Sequence, residues 1–305
     1  EISVSTGLIR ADALALAGDG TPVVTSHRER KKRICKCKDN GITDCKCDRY
    51  FSQPDCDIGW DSSRDCYYHG YDLYMLVDSQ SDLPVFPHFC CASKHDSHGF
   101  LHAFFRMKSF LPDYTVSKVL LDSAHDAMPY YQYFKRKNIT PFIDLNGKGG
   151  RPPIYKNDFT IDKDGVPICP SGYRMRRDGI EVAKGRMKFK CPKISYAGGG
   201  ISCTCETPCS NAKYGRTVHL VLKDNPRLFN NPPRSSKEWK LEYNARTSAE
   251  RSNKREKLDF KLEDGRHRST KMWYCRLYHI LMLQHLDALD LPSESTLKKM
   301  ILDVA

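Results

Sequence analysis

The sequence predicts an α/β fold, a mixed sheet flanked by helices and interrupted late in the chain by a Cys/Gly/Pro-rich insertion. Three observations carry this expectation. Up to about residue 145, short apolar runs of strand length alternate with helical patterns. From Asn146 to about Pro233 the periodicity fades and Gly, Pro and Cys accumulate. After Ser235 helical periodicity returns and continues to the end of the chain. The expected divisions are therefore 1–145, the first part of the sheet domain with a cysteine cluster at 35–47; 146–233, the insertion; and 234–305, the helices that complete the first part.

The elements follow in order. Ala13–Ser26 is apolar with Gly18-Asp19-Gly20-Thr21 in its middle, and reads as a strand or a hairpin edge. Tyr71–Val77 is a strand, Asp78–Asp82 a turn, and Val85–Phe89 a second strand in which Pro87 argues for an edge or a bulge. Asp96 or Ser97 can cap a helix running through Phe100, Phe104 and Met107. Lys118–Asp122 is a short buried strand, Pro129–Lys137 a helix and Thr140–Ile143 another strand. Beyond the insertion, Ser235-Ser236-Lys237-Glu238 has the form of a capping box, and the helical pattern it opens runs to about Glu263, with Asp264-Gly265 as its stop. Met272–Leu289 and Leu297–Val304 are further helices.

Composition narrows the function classes. With 305 residues, 40% of them hydrophobic, the chain is long and apolar enough to fold around one large core or two smaller ones. No apolar run approaches the ~20 residues that span a bilayer, and Ala11–Ala17 lacks the basic start and cleavage pattern of a signal peptide. The first residue is Glu1, so a preceding segment is expected. A net charge of +12 favours a polyanionic partner, of which nucleic acid is the commonest.

The 14 cysteines are expected to be reduced. Cys35-x-Cys37 and Cys45-x-Cys47 form two short pairs whose thiolates can close a tetrahedral Zn²⁺ site, although the spacing is not the usual C-x-x-C. In the insertion, four of Cys169, Cys191, Cys203, Cys205 and Cys209 can bind a second zinc, and a metal would help to fold a segment poor in apolar residues. Free cysteines without metal are the alternative for both clusters. Cys90, Cys91 and Cys275 read as packing residues.

The strongest signal lies after the insertion. Tyr243, Arg246, Glu250 and Lys257 are spaced by three, four and seven residues, so on one continuous helix their directions fall within about 60° of each other. A carboxylate flanked by two cations and a phenol suits a metal beside phosphate oxygens. It also suits a solvated face on which Arg246 and Glu250 form an (i, i+4) ion pair. The string Tyr243-x-x-Arg246-x-x-x-Glu250-x-x-x-x-x-x-Lys257 resembles the YREK signature of a group of DDE-type insertion-sequence transposases, with no error in spacing. Asp19-Gly20-Thr21 on the first strand and Asp122 at the end of a later strand, after a helix, are similar to the other two acidic positions of that family. Read alone, the first is an ordinary Asp-Gly turn and the second a strand-ending Asp, with Asp126 as its local competitor.

The resemblance covers most of the chain from Asp19 to about Leu289, apart from the insertion. It implies an RNase H-like mixed sheet and a catalytic group of Asp19, Asp122 and Glu250 holding Mg²⁺ or Mn²⁺. Tyr243, Arg246 and Lys257 would face DNA. The implied reaction is cleavage of a phosphodiester by water, freeing a 3′-OH that attacks a second phosphodiester on the opposite strand or in target DNA. The implied partners are double-stranded DNA, as element ends and as target, and a second copy of the chain on that DNA; the implied location is cytoplasmic, at the nucleoid. Two departures stand out: 18 residues precede Asp19 where the family usually carries a DNA-binding region, and the insertion has no Trp, Trp239 lying just after it. A transposase-derived DNA- or zinc-binding protein without cutting activity, and an RNase H-like nuclease, remain open alternatives.

Overall fold

A computed structural model describes residues 2–25, 36–47, 56–147, 159–195 and 201–290. The basic run 27–33, Cys35 and the helix expected at 297–304 lie outside the described residues. The chain divides into two compact units, Glu1–Ala124 with Ala245–Ala305, and His125–Asn244. The second unit thus takes in more than the segment 146–233 at both ends.

In the first unit, helix α1 (Ile2–Ser5) precedes strand β1 (Leu14–Val24), followed by β2 (Asp57–Asp61), β3 (Cys66–Asp78), β4 (Pro84–Cys91), helix α2 (Asp96–Phe110) and β5 (Val116–Leu121). β3 pairs antiparallel with β1, from Leu16↔Asp78 to Val24↔Gly70, and antiparallel with β4, from Tyr71↔Cys91 to Val77↔Pro84. β2 pairs with the start of β3, and β5 lies parallel to β1 with Ala17 opposite Leu120. The order within this unit is therefore β4-β3-β1-β5. Pro87 sits on β4, and the register shifts between Leu76 and Val77 opposite that strand, in line with the expected edge or bulge.

β1 forms the expected strand. Asp19-Gly20 lies inside it, not in a turn, with Asp19 opposite Met75 and Gly20 opposite Tyr74 of β3, while the pairing with β5 runs from Leu14 to Ala17. The glycines there make room. A Cβ at Gly18 would stand 2.6 Å from the Tyr74 hydroxyl, and one at Gly20 would stand 2.8 Å from Asp96 Oδ1. Leu14, Leu16, Leu73, Met75 and Leu121 are fully buried in the core that the strands share. The turn after β3 forms as expected, with Asp78 Oδ2 accepting from Ser81 N at 3.0 Å and Ser81 Oγ at 2.7 Å.

α2 buries Phe100, Phe104 and Met107, but its cap is neither Asp96 nor Ser97. His95 precedes the helix in extended conformation and its side chain accepts from Ser97 N. Asp96 occupies the first turn, where the helix dipole favours a carboxylate.

The second unit begins with helix α3 (Met128–Arg136) and strand β6 (Thr140–Ile143). A two-stranded ribbon follows, β7 (Thr160–Ile161) and β8 (Pro167–Ile168). β9 (Arg176–Glu181) and β10 (Arg186–Lys190) come next, then the short pair β11 (Ile194–Ser195) and β12 (Ser202–Cys203), and β13 (Thr217–Val221). The three-stranded sheet has the order β13-β10-β9. Met187, Phe189, Val218, Leu220 and Phe229 build an apolar core here, so this segment has more to fold around than its composition suggested. Helix α4 (Lys237–Asn244) closes the unit; Ser236 Oγ accepts from Trp239 N at 3.1 Å, as the expected cap.

The long helix expected from Ser235 to Glu263 is not continuous. α4 ends at Asn244, and α5 (Thr247–Lys254) begins after a tighter turn in which Ser248 N and Ala249 N donate three residues back, to Ala245 O and Arg246 O. A wide π-helical turn, Arg255–Asp259, then follows α5 and carries Lys257. Helix α6 (Thr270–Asp290) buries Trp273 and Leu277. Cys275 on α6 is exposed, not the packing residue expected; Cys90 is buried.

Candidate functional site

Asp19 stands on β1, which neighbours β5 along one edge, and Asp122 is the first residue after β5. α5 brings Arg246, Glu250 and Asn253 onto one stripe at spacings of four and three. Asn253 Nδ2 donates to Asp19 Oδ2 at 3.2 Å, and Arg246 places one guanidinium nitrogen 4.0 Å from Asp19 Oδ1 and another 2.5 Å from Glu250 Oε1. Asn253 was not singled out from the sequence, although its distance of three from Glu250 puts it on the same face.

Burial pushes the Asp19 carboxyl up to about 7; the Arg246 charge opposes this, while Asp96, Glu250 and Asp122 reinforce it. The charges of Asp122 and Glu250 therefore both reach Asp19, together with that of Asp96, which the sequence offers as a helix cap. Glu250 lies at the rim, its side chain 48% exposed. Asp122 Oδ1 accepts from Ala124 N at 3.1 Å, so this residue also turns the chain as its simpler reading proposed. Its competitor, Asp126, has a fully buried side chain bound within the second unit by Arg227 Nε at 2.8 Å and by the Tyr131 hydroxyl at 2.9 Å.

Lys257 is engaged by the protein itself. Its Nζ donates to Pro22 O at 2.7 Å and lies 3.3 Å from Glu263 Oε1. Tyr243 belongs to the second unit, where its ring stacks on Trp239 with centroids 4.6 Å apart; Trp239 itself is buried.

Cys37, Cys45 and Cys47 gather into a group that can hold a metal ion such as zinc. Their sulfurs all lie within 4.8 Å of one another, with Cys37 and Cys47 3.6 Å apart. Zn–S bonds of ~2.3 Å in a tetrahedron ask for sulfurs at about this spacing. Cys35, the fourth expected ligand, lies outside the described residues. Among the described residues, neither the three expected acids nor the five cysteines of the insertion close to that spacing. Cys169 and Cys191 are buried, Cys205 N donates to Cys203 Sγ at 3.5 Å, and burial raises the Cys205 and Cys209 thiols in a neighbourhood that includes Cys169 and Cys191.

No helix among the described residues is long and apolar enough to cross a membrane. Comparison of the chain with protein-family models, with curated proteins and with solved structures yields no significant match.

Proposed function

We propose that the protein is a DNA transposase catalytic domain of the DDE type, with an RNase H-like sheet, cutting and rejoining phosphodiester bonds at transposon ends. One observation carries the reading: Arg246 reaches both Asp19 and Glu250, and the Asp19 carboxyl feels the charges of Glu250 and Asp122, although the three acids lie more than a hundred residues apart at each step. The supports they stand on also agree with the resemblance, namely the first strand, the end of a later strand after a helix, and a late helix.

The donor set fits a hard divalent ion. Three carboxylates offer oxygen ligands, and Arg246 marks the place between Asp19 and Glu250 where positive charge is already welcome. Asp19, Asp122 and Glu250 would hold Mg²⁺ or Mn²⁺. When bound, such ions activate the attacking water or hydroxyl and neutralise the leaving oxygen. The residues do the rest. Asn253 orients the Asp19 carboxylate. Arg246, which lies between Asp19 and Glu250, would meet a DNA phosphate if a metal were held by those carboxylates. Lys257 fixes the Pro22 carbonyl and so steadies the strand that carries Asp19.

The test is cleavage of DNA carrying the ends of the encoding element, in the presence of Mg²⁺ or Mn²⁺. Wild-type protein should nick and join such DNA, while Asp19→Asn, Asp122→Asn and Glu250→Gln should each lower the rate by at least about a thousandfold and still bind the DNA. Hydrolysis without joining would favour a nuclease. Binding without cutting by the wild type would favour a transposase-derived binding protein and overturn the catalytic assignment.

A further inference from the structure

Helix α6 carries two apolar stripes. Trp273, Leu277, Ile280 and Leu281 face the core. On the other side stand Met272, Cys275, His279, Met282, Leu286 and Leu289, at alternating spacings of three and four residues. At ~100° per residue each set spans about 100°, and their centres lie about 180° apart. Met272, Met282 and Leu286 are 48%, 53% and 54% exposed, and Cys275 and His279 are exposed beside them. A surface helix ordinarily turns a polar face outward, so apolar groups on both sides point to a second cover.

The period indicates what covers the outer stripe. Spacings of three and four form the heptad pattern by which one α-helix packs lengthwise on another. From Met272 to Leu289 this makes a seam roughly 26 Å long. An apolar groove lined by Ile9, Pro84 and Tyr114 runs beside Met282 and Leu286, and another, lined by Phe260 and His267, beside Met272 and Leu283.

Charge indicates which helix. The charged residues of α6 are Lys271 and Arg276 in its first half and Asp287 and Asp290 in its second. This is the reverse of what the helix's own dipole favours, with no acid in the first turn and no base in the last. Arg276 and Asp287 also have partners within the chain, the Leu262 carbonyl and Arg255, but the sign of each half remains. A second α6 running antiparallel sets each cationic half against an anionic one and opposes the two dipoles. The same two-fold axis pairs Met272 with Leu289, Cys275 with Leu286 and His279 with Met282, so the stripe is its own complement. A parallel copy would place like charges side by side.

We propose that the outer face of α6 is a homodimer interface, along which two copies of the chain meet antiparallel. The contact needs neither DNA nor metal, so it stands or falls apart from the transposase reading.

The experiment measures the mass of the full chain in solution, without DNA, by sedimentation equilibrium over a range of concentrations. Wild-type protein should approach twice the chain mass. Met282→Glu/Leu286→Glu, at the middle of the stripe, should raise the dimer dissociation constant by about tenfold or more. Lys271→Glu and Asp287→Lys should each weaken the dimer, and mixing these two proteins should restore it, because each new charge then meets its opposite. Both positions are exposed, so these variants decide the matter if the double glutamate fails to fold. A wild type that stays at the single-chain mass, or a dimer indifferent to all these changes, would overturn the proposal. So would a double-glutamate protein that melts lower at every concentration while the wild type is monomeric, which would show the stripe covered from within its own chain.

Discussion

Glu256 is fully buried one turn and a half beyond Glu250, and it makes different use of a carboxyl group. Its Oε1 accepts from Ser252 Oγ at 3.2 Å and Gln284 Nε2 at 3.5 Å, while Oε2 has no partner. Burial lifts its pKa from the ordinary 4.5 to about 8. The folded protein therefore keeps a proton that the unfolded chain releases above 4.5, and stability falls as pH rises from 4.5 to about 8, then levels. Glu256→Gln removes the titration at nearly constant shape. The variant should melt higher than wild type at pH 8, by roughly 2–4 °C for each kcal/mol regained. The advantage should vanish toward pH 4.5, below which both forms are neutral. Thermal melts at the two pH values decide it: an equal gain at both would show a packing effect instead. Glu256 was not legible beforehand because its sequence neighbours, Arg255 and Lys257, suggest an exposed charged turn.

Among the elements, β1 and β3 to β6 were legible because apolar runs report burial on both sides of a sheet, as in Leu73–Val77 on β3, while β2 and the strands of the insertion were not. The late helix was legible in type but not in continuity. A register of four residues per step reads the same whether the backbone runs on or is broken at Ala245 and widened at Arg255–Asp259. Asp19 was legible through its motif and its strand through the apolar run, although Asp-Gly read alone suggests a turn; the tertiary neighbours Tyr74 and Asp96 explain the glycines. Asp96 was legible only as a candidate helix cap, not as a neighbour of Asp19. The cysteine loop was legible from spacing, because two residues apart already brings thiolates close. One Zn²⁺ per chain is expected there, measured by elemental analysis of the purified protein, and Cys45→Ser should lose it. Zinc unchanged in that variant would place the metal elsewhere, and a second equivalent in the wild type would point to Cys169, Cys191, Cys203, Cys205 and Cys209.

The whole molecule carries a net charge of +12, and that charge bears on the function more broadly than any single contact. A protein that neutralises five or more DNA phosphates should show log K against log salt falling with a slope of about −4 or steeper. Binding that is absent, or indifferent to salt, would sink the DNA reading however well the acids are placed. Within that slope Lys257 is the informative cation. The resemblance assigns it to DNA, but in the folded chain its ammonium is held by Pro22 O and Glu263, with 14% of the side chain exposed. A cation so engaged has little to give a phosphate without first releasing the strand of Asp19. Lys257→Ala should therefore leave the salt slope as it is, lower the melting temperature, and slow cleavage through a less steady Asp19. Arg246, which would turn to a phosphate if Asp19 and Glu250 held a metal, should be different: Arg246→Ala should reduce the slope by about one unit. A drop of one unit for Lys257→Ala, with the melting temperature unchanged, would return that lysine to the DNA and leave Pro22 and Glu263 as its resting partners only.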